Sequence, residues 1–524
     1  MDMRTAPVGH YNAAEDLIGR NLARGDKVAF IDARGSYTFG DVSVGVAKTA
    51  AGLGSLGLAP GDRVAICAVD SIEFVFSFLG AIKAGLVPIG LNTLFKAKDY
   101  EYILADSGAK AAIVSEPIAP HFREAGKQIE WTGALIVIGT PHANEVGFST
   151  LLLHGTRADY HPSSAGDIAF WLYSSGSTGR PKGAPHRHYS LVQTAQLFGQ
   201  DTLGIRESDV VYSGAKLFFA YGLGNALSFP MAVGATAILF PDRVTPAIAV
   251  DVVTKHGVTV FCGAPTLYGG ILAAGLANQI HGSRLRLCLS AGEGLPSSIG
   301  EAWAATTGLE VVDGIGSTEM LHIYISNKPG DVVYGTTGKP VPGYEVRLID
   351  EDGREVAAGE FGELCVRGPT MTPFYWNQPE KTASTFVDGW MRTGDKFVCD
   401  TDGRYTHRGR VDDMLKVSGN WVSPTEVEST LLTHDDVLEA AVVGVNDSAG
   451  LLKSIAFIVC KPGVVGGDEL AARLKEHAKM RLAPYKYPRF IQFVAELPKT
   501  ATGKVQRHIL RDRASSMSVE NAQS

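Results

Sequence analysis

Residues 173–183 read Tyr-Ser-Ser-Gly-Ser-Thr-Gly-Arg-Pro-Lys-Gly and follow a strand-like apolar run at 169–172. Glycines leave such a backbone open, so that its N–H groups can turn toward one anion, and hydroxyls add further donors. Arg180 and Lys182 place positive charge inside the segment, which makes phosphate the favoured anion. The segment is neither a Walker A loop nor a dinucleotide fingerprint, because it lacks Gly-Lys-Ser/Thr and Gly-x-Gly-x-x-Gly. The alternative is a Gly/Ser surface linker, which the preceding strand and the two cations disfavour.

The composition of the chain limits the classes of protein to which it can belong. The chain has 524 residues, 45% of them hydrophobic and 20% charged, which predicts a soluble globular protein with more than one domain. A net charge of −7 favours neither a nucleic-acid nor an anionic-membrane partner. The six cysteines lie far apart with no Cys-x-x-Cys, so we expect reduced thiols in a cytoplasmic protein rather than a zinc site. We find no signal-peptide pattern at residues 1–20, and the apolar stretch 229–240 is too short to span a bilayer.

The order of elements predicts an α/β fold. From residue 27 to 139, apolar strand-like runs alternate with helical patterns, and the same rhythm resumes after residue 183, which indicates βαβ units and parallel-rich sheets. The predicted strands lie at 63–68, 87–91, 111–114, 210–212, 236–240, 258–261 and 285–289. The predicted helices lie at 71–84 and 221–231.

Two smaller units follow the parallel sheets. Residues 345–406 alternate like hairpin strands and predict a β subdomain. A boundary near residue 410 divides the chain into a large domain, 1–409, and a small α+β domain, 410–524. In the small domain we expect helices at 424–432, preceded by Ser423 as N-cap, and at 468–482, strands at 437–445, 454–459 and 490–494, and a frayed polar tail from residue 511.

Four further segments carry polar residues suited to chemistry. Asp-Gly-Ile-Gly-Ser-Thr-Glu occupies 313–319 after a predicted strand at 309–312, and Thr-Gly-Asp occupies 393–395. Arg-Gly-Arg-Val-Asp-Asp-Met-Leu-Lys-Val-Ser-Gly spans 408–419, and Pro-Lys-Thr-Ala-Thr-Gly-Lys-Val-Gln-Arg spans 498–507. Taken singly, these segments have ordinary alternatives: a glycine turn with a capping acid, an aspartate in a hairpin turn, an exposed charged linker and a solvated lysine near a terminus.

Together with the first segment, these motifs resemble the adenylate-forming superfamily, which includes acyl-CoA synthetases, firefly-type luciferases and peptide-synthetase adenylation domains. The resemblance implies a large domain with a mobile C-terminal lid, and the use of ATP and Mg²⁺ to activate a carboxylic acid. It also implies roles for the matching residues: Ser174, Ser175, Gly176, Ser177, Thr178, Gly179 and Lys182 at the ATP phosphates; Asp313, Gly314, Gly316, Ser317 and Thr318 at the nucleotide; Asp395 and Arg410 at the ribose; Thr178 and Glu319 at Mg²⁺; Lys504 as the catalytic lysine; Asp412 as the hinge; Lys416 near the adenylate in the second lid position.

The expected chemistry explains why no acid–base set is evident. A carboxylic acid with a pKa of about 4 is already ionised at neutral pH, so its attack on the α-phosphate needs no general base. The attack needs cancellation of charge, which Mg²⁺, Lys504, backbone N–H groups and Thr178 would supply. A thiol then attacks the acyl-adenylate through a clear channel, and these two successive tasks in one site are a reason for a swinging lid.

Three further segments resemble a narrower branch, the benzoate-CoA ligases. They are Ala-Lys-Leu-Phe-Phe-Ala-Tyr-Gly-Leu-Gly-Asn at 215–225, Ser-Thr-Glu-Met-Leu-His-Ile at 317–323 and Leu-Ala-Pro-Tyr-Lys-Tyr-Pro at 482–488. The match implies an acyl pocket in which aromatic and branched walls sandwich a flat ring, a glycine admits its edge, and an imidazole contacts the carboxylate or a ring substituent. The residues so implied are Ala220, Tyr221, Gly316, His322 and Ile323.

Some features of the sequence do not determine which residues line the acyl pocket or which acid it binds. His322 equally fits a core histidine, and some of Phe218, Phe219 and Tyr221 are core aromatics. The chain departs from the branch at 184–188, Ala-Pro-His-Arg-His, and at 420–421, Asn-Trp near the expected thiol channel. Neither departure touches an assigned catalytic residue, but both bear on the choice of acid.

The sequence therefore predicts a ligase that joins benzoate or a substituted benzoate to coenzyme A through an acyl-AMP. The alternatives are an adenylating enzyme for another ring or medium-chain carboxylate, a loader of a carrier protein, and a non-catalytic binding protein of the same fold. The chain ends about twenty residues after Lys504, which disfavours a fused carrier domain but not a free-standing loader. Dimerisation is an expectation of the resemblance alone.

Overall fold

Five sheets organise the molecule, which is described here from a computed structural model. The structure describes residues 6–174, 181–410, 413–417, 420–446, 452–483, 485–499 and 505–521. The sheets have seven, nine, five, two and three strands within these residues. The fold is α/β with a smaller C-terminal α+β part, as predicted.

The seven-stranded sheet has the order β7-β6-β5-β3-β4-β8-β9 and is parallel except for the β8–β9 pair. Its inner strands are buried on both faces, which is why they read as continuous apolar runs. Its strands are β3 Arg63–Cys67, β4 Val87–Gly90, β5 Ala111–Ser115, β6 Ala134–Ile138, β7 Val146–Gly147, β8 Ile168–Ser174 and β9 Lys182–Arg187.

The nine-stranded sheet has the order β16-β15-β14-β13-β12-β10-β11-β1-β2. Its six strands from β14 to β1 pair in parallel, and antiparallel pairs close both edges. The strands are β1 Val28–Asp32, β2 Gly35–Thr38, β10 Val210–Ser213, β11 Thr236–Ile238, β12 Val260–Gly263, β13 Leu287–Ser290, β14 Val311–Gly316, β15 Ile323–Ser326 and β16 Lys339–Pro340.

Helices cover both sheets, and one buried apolar cluster contains residues of both. The helix pair 39–55 and 72–84 packs closely at Gly45, where a Cβ would lie 2.3 Å from Phe76 Cζ. The helices are α1 Ala13–Gly19, α2 Phe39–Ser55, α3 Ile72–Ala84, α4 Ala97–Ser107, α5 Ala119–Gln128, α6 Phe148–Leu151, α7 His188–Thr194, α8 Ala220–Leu223, α9 Phe229–Val233, α10 Pro246–Lys255, α11 Pro265–Ala273 and α12 Ser297–Thr307, with 3₁₀ turns at Leu22–Arg24, Glu116–Ile118 and Ala277–Gln279 and π-helical turns at Ala195–Gln200 and Gly224–Ser228.

Two predictions for this region need correction. The motif at 313–319 does not begin after its strand, because β14 continues through Gly316 and pairs with β15. The predicted helix at 221–231 is the middle of a longer helical stretch, in which a π-helical turn separates α8 from α9.

The predicted β subdomain is an antiparallel sheet in which β17, β18, β20 and β19 pair in order and β21 adds to β20. Its elements are β17 Glu345–Ile349, β18 Phe361–Arg367, α13 Pro379–Thr385, β19 Phe386–Val387, β20 Trp390–Cys399 and β21 Tyr405–Arg410. Asp395 therefore lies within a strand, so the hairpin-turn alternative for this residue is wrong.

The C-terminal part is built on β24 and β25, which pair antiparallel, with β26 parallel to β25. Ser423 caps its first helix by accepting a hydrogen bond from Glu426 N at 3.1 Å, as predicted. Lys499 and Val505 form an isolated antiparallel bridge. The elements are β22 Leu415–Val417, β23 Asn420–Val422, α14 Pro424–Leu431, β24 Val437–Asn446, β25 Leu452–Cys460, α15 Asp468–Lys479, β26 Phe490–Phe493 and α16 Arg507–Asn521.

The prediction of a frayed tail from residue 511 is wrong, because these residues form most of α16. Leu510 and Ala514 of this helix are buried against β24 and β25. All six cysteines are free, and four of them, Cys67, Cys262, Cys288 and Cys365, are buried. Among the described residues, no helix has both the length and the apolar character needed to cross a membrane.

The packing of α16 yields a stability prediction. We expect Leu510→Ala to lower the free energy of opening of the C-terminal part by about 2–5 kcal/mol, because the change leaves a cavity under the helix. Hydrogen exchange of the β24 amides would measure this opening directly. Arg513→Ala, an exposed position on the same helix, is the control and should change the value by no more than about 0.5 kcal/mol. Equal exchange in the two variants would contradict the packing of α16.

Candidate active site

The carboxylate of Glu319 joins two of the predicted motifs. Its Oε1 accepts hydrogen bonds from the Tyr375 hydroxyl at 2.8 Å and from the Ser174 hydroxyl at 3.3 Å. Ser174 is the last residue of β8, immediately before residues 175–180. The first motif and the 313–319 motif therefore meet at one carboxylate.

Buried groups hold the backbone around Glu319. The imidazole of His186 lies with Nε2 2.7 Å from the carbonyl oxygen of Thr318, and Thr372 N donates to the carbonyl oxygen of Glu319 at 2.7 Å. A carbonyl only accepts, so Nε2 of His186 carries the proton. Burial lowers the pKa of His186 to about 4, so the ring is neutral near pH 7. The segment is thus fixed without an additional charge.

Lys182 brings a cation close to this carboxylate. Its Nζ lies 4.5 Å from the centre of the Tyr375 ring and 3.5 Å from the Tyr375 hydroxyl oxygen. Burial lowers the pKa of Lys182, and the charges of Lys381 and Arg410 lower it further, while Glu319 opposes the shift. A partly desolvated cation of this kind gains from the arrival of an anion.

Asp395 and Arg410 form a pair across β20 and β21, where they stand opposite each other. Arg410 Nη1 lies 3.1 Å from Asp395 Oδ1, and Nε2 of His407 lies 3.5 Å from the same oxygen. Burial opposes ionisation of Asp395, but the hydrogen bond from His407 and the charge of Arg410 lower its pKa overall. Gly394 has φ +71°, and a Cβ there would lie 2.9 Å from Arg410 Nη2, so glycine is needed beside the pair.

Asp313 is a buried acid with an open acceptor. Leu295 N donates to its Oδ2 over a long 3.5 Å, whereas Oδ1 has no hydrogen-bond partner among the described residues. Burial raises the pKa of Asp313 to about 8. With this pKa the carboxyl is mostly protonated near pH 7, so it has both a donor and an acceptor oxygen. A buried polar atom without a partner is costly, so a ligand that forms a hydrogen bond with Oδ1 would be favoured.

The predicted acyl-pocket residues also come together. The His322 ring packs against Phe229, Tyr221 and Phe198, with centroid distances of 4.6, 5.6 and 5.4 Å. Its Nε2 lies 3.3 Å from the carbonyl oxygen of Tyr221, and its Nδ1 has no partner in the described part of the chain. Burial lowers the pKa of His322 to about 3, so the imidazole is neutral.

The Tyr221 side chain reaches the ends of two parallel strands. Its hydroxyl donates to the carbonyl oxygen of Leu289 at 3.1 Å and lies 3.4 Å from that of Gly263. Burial raises the pKa of this phenol well above its ordinary value. Ala220 precedes it as the first residue of α8 and is partly buried, so the two predicted residues stand side by side at the start of one helix.

Gly316 is needed for a packing reason that the sequence did not reveal. A Cβ at this position would lie 2.5 Å from the carbonyl oxygen of His322 and 2.8 Å from Ile323 N. The close approach of β14 and β15 therefore excludes a side chain whether or not a ligand ring lies nearby. Gly224 has a similar constraint, because a Cβ there would lie 2.3 Å from Cδ2 of His322.

Several predicted residues remain predictions. Lys416 lies in β22, but its side chain is outside the described atoms. The following predicted residues lie outside the described residues altogether: Ser175, Gly176, Ser177, Thr178, Gly179, Asp412 and Lys504.

Comparison with known proteins identifies the family. Residues 20–376 match the family described as AMP-binding enzyme, and residues 426–504 match the AMP-binding enzyme C-terminal domain. The chain belongs to the AMP-binding enzyme family. The two matched regions correspond to the large α/β part and to the C-terminal part of the fold.

Similar members of this family act on aromatic acids. The chain is 53% identical over 506 residues to the benzoate–CoA ligase of Thauera aromatica, covering 96% of each chain. It is 44% identical to the 4-hydroxybenzoate–CoA/benzoate–CoA ligase of Rhodopseudomonas palustris, covering 97% of this chain and 95% of the relative.

Solved structures of AMP-binding enzymes share the fold over the full length. A benzoate CoA ligase from Burkholderia xenovorans LB400 superposes with a TM-score of 0.89 at 46% identity, covering 96% of this chain and 100% of that one. The anthranilate CoA ligase AuaEII in complex with anthranoyl-AMP superposes with a TM-score of 0.94 at 42% identity, covering 98% and 99%.

Sequence reasoning missed Tyr375, His186 and Thr372. Tyr375 lies 56 residues from Glu319 along the chain, and nothing in its local sequence connects the two. His186 stood in a segment that we noted only as a departure from related sequences. A residue that supports a site through one long-range hydrogen bond leaves no spacing pattern, so no motif search would have found these three.

The Tyr375 contact yields a prediction. We expect Tyr375→Phe to lower kcat/KM for ATP about 10-fold to 100-fold, because a hydrogen bond to a carboxylate contributes about 1.5–3 kcal/mol. The ring over Lys182 and its packing against Phe386 would be kept. Steady-state kinetics with ATP and with the acid as the varied substrate would measure the effect. Tyr160→Phe, a half-buried tyrosine beside Lys83, is the control. An unchanged kcat/KM for ATP in Tyr375→Phe would refute the assignment.

Proposed function

We propose that the protein is an ATP-dependent aryl-CoA ligase that converts benzoate or a substituted benzoate to an acyl-AMP and then to the CoA thioester, releasing AMP and pyrophosphate. One observation carries the proposal most directly. The short segment 316–323 contributes both Glu319, which accepts hydrogen bonds from Ser174 and Tyr375, and His322, which packs against aromatic rings. Two relatives, 53% and 44% identical to the chain over 506 and 511 residues, are named a benzoate–CoA ligase and a 4-hydroxybenzoate–CoA/benzoate–CoA ligase.

The nucleotide would lie along the groups that face the carboxyl end of β14. Asp313 Oδ1 offers a buried acceptor for the exocyclic amino group of adenine, beside the flat glycine backbone of 314–316. Asp395, kept ionised beside Arg410, would accept hydrogen bonds from the ribose hydroxyls. Lys182, the residues at 174–179 and Lys504 would bind the phosphates.

Glu319 fits a role in holding Mg²⁺. No group of three or more His, Cys, Asp or Glu side chains that would hold a metal ion occurs within the described residues. A site built from one carboxylate plus ATP phosphates and water suits Mg²⁺, which keeps several waters and demands oxygen ligands. Glu319 and Thr178 would supply the protein oxygens. When bound, the ion would neutralise charge on the phosphates.

The chain's own residues would prepare the first step by positioning and charge. The carboxylate substrate is ionised at neutral pH and attacks the α-phosphate directly, so the residues need not remove a proton. Lys182 and Lys504 would reduce the repulsion between the two anions, while Tyr375 and Ser174 fix the orientation of Glu319. In the second step, the lid, residues 410–524, would rotate about Asp412 to admit CoA and bring Lys416 toward the adenylate.

The tautomer of His322 indicates which part of the acid its side chain would contact. Because Nε2 donates to the Tyr221 carbonyl, the open nitrogen Nδ1 is an acceptor and repels a carboxylate. Nδ1 instead suits the electropositive edge of an aromatic ring or a donor substituent such as hydroxyl or amino. Of the two roles that the sequence left open for His322, contact with the ring or its substituent is therefore favoured over contact with the carboxylate.

A panel of acids tests the proposed substrate class. With ATP and CoA, we expect benzoate or a monosubstituted benzoate to give the highest kcat/KM, because the aromatic walls match a flat ring. The panel would include hydroxy-, amino- and halobenzoates, cyclohexanecarboxylate and hexanoate, with AMP release as the readout. The same assay without CoA is the control. AMP release by a CoA ligase depends on CoA, whereas CoA would not raise AMP release by an enzyme that loads a carrier protein. A preference for hexanoate over every ring acid would overturn the pocket assignment.

The role of Lys504 is tested by separating the half-reactions. We expect Lys504→Ala to abolish formation of the adenylate while thiolysis of supplied acyl-AMP stays within about three-fold, because only the first step needs charge cancellation on ATP. Pyrophosphate exchange and CoA-ester formation would measure the two steps. Lys499→Ala, whose lysine pairs with Glu439 2.6 Å away, is the matched control. An equal loss in both steps would show that the role is wrong.

A further inference from the structure

One helix holds both strands that flank residues 175–180. Asp106, in the last turn of α4, accepts a hydrogen bond at Oδ2 from the Tyr173 hydroxyl at 2.6 Å, and Tyr173 is the penultimate residue of β8. One turn earlier, the Tyr102 hydroxyl donates to the carbonyl oxygen of Pro181 at 3.1 Å, immediately before β9. The two contacts fix the strand that enters the phosphate motif and the strand that leaves it to the same rigid element.

The same residue also anchors the segment that carries Tyr375. The carbonyl oxygen of Asp106 accepts from Trp376 Nε1 at 2.9 Å and from Asn377 Nδ2 at 3.0 Å. Asn377 Nδ2 also lies 3.4 Å from Asp106 Oδ1, and Asn377 has φ +53°, a left-handed conformation that this hydrogen bonding holds in place. Tyr375, one residue before Trp376, is the donor that orients Glu319.

Trp376 joins the same segment to strands β8 and β9. Its backbone N donates to the carbonyl oxygen of Gly183 at 2.8 Å, and its ring packs against Trp171 of β8 with a centroid distance of 4.6 Å. A Cβ on Gly183 would lie 3.2 Å from Cβ of Trp376. The Tyr375–Asn377 segment is therefore packed on the β8–β9 pair and bonded to the end of α4 at the same time.

The end of α4 is itself firmly held. Arg63 donates from Nε to the carbonyl oxygen of Ser107 at 2.8 Å and from Nη2 to that of Gly108 at 3.2 Å, which satisfies terminal carbonyls of the helix. Gly108 ends the helix in the left-handed conformation, with φ +57°. Because its C-terminus is capped in this way, α4 is a fixed reference for whatever binds to Asp106.

From these contacts we infer that Asp106 is a positioning residue for ATP. It sets the distance between the residues that lead into the phosphate motif and the Tyr375–Glu319 pair, which act on the same polyphosphate. The inference rests on the proposed function only in requiring that the enzyme forms an acyl-AMP. Asp106 does not need to contact a substrate, because it acts through Tyr173 and through the Tyr375–Asn377 segment.

The inference predicts a selective kinetic defect. Asp106→Ala and Tyr173→Phe should each raise KM for ATP about 10-fold, because both break the same hydrogen bond and loosen the strand before the phosphate motif. KM for the acid and the rate of thiolysis of supplied acyl-AMP should stay within about two-fold, since neither uses the phosphate motif. In the double variant, KM for ATP should be no higher than in the more impaired of the two single variants, because the two side chains act as a pair.

The experiment compares five variants, four single and one double, by ATP–pyrophosphate exchange and by thiolysis of supplied acyl-AMP, using the best acid found in the panel. Glu101→Ala, a carboxylate on the same helix, is the matched control and should leave every constant unchanged. Tyr102→Phe, which removes the contact to Pro181, should also raise KM for ATP selectively. Equal losses in both half-reactions, or additive effects of Asp106→Ala and Tyr173→Phe, would overturn the inference. If no acid in the panel supported exchange in the unaltered enzyme, the proposed function would fail instead.

Discussion

The hydrogen bond from the Tyr375 hydroxyl to Glu319 is the contact on which the arrangement of the site depends. It joins the segment that follows β14 to the connection between β18 and α13. A second hydrogen bond, from Ser174 at the end of β8, joins both to the seven-stranded sheet. An ionised side chain with a wrong orientation is of little use to a cation or a phosphate, because Coulomb energy falls with distance. Three parts of the fold that are remote in sequence thus determine where one negative charge lies.

The remaining residues of the proposed site fall into two electrostatically different groups. In the proposed nucleotide half, burial opposes ionisation of Asp395, but the hydrogen bond from His407 and the charge of Arg410 lower its pKa, and Lys182 is a partly desolvated cation. In the proposed acyl half, His322 is buried and neutral and packs against aromatic rings. The boundary between the two proposed halves falls within four residues, from Glu319 to His322. An enzyme that joins an apolar acid to a highly charged nucleotide needs such a boundary at the point where the two meet.

The sequence predicted the parallel strands, whereas its motif residues remain predictions of site roles. It failed where residue propensities were misleading, where the apolar pattern was sparse, and where a residue acts through a contact distant in sequence. Buried strands such as β4 read as apolar runs, and their predicted limits lie within about two residues of the observed ones. By contrast, β14 continues through Asp313–Gly316, where aspartate and glycine have low strand propensity and suggest a turn. The helix α16 buries Leu510 and Ala514 among many polar residues, too few for a clear periodicity. Tyr375 and Asp106 act through contacts between distant segments, which no single-sequence pattern contains.

The bridge between Lys499 and Val505 fixes Val505 to the C-terminal part of the fold. Gln506 N also donates to the carbonyl oxygen of Pro498 at 2.8 Å, so two contacts join residues 498–499 to the residues just before α16. Val505 is the next residue after Lys504 in the sequence. If Lys504 has the proposed role at the phosphates, the position of its charge would therefore depend on the position of the C-terminal part, to which Val505 is bonded.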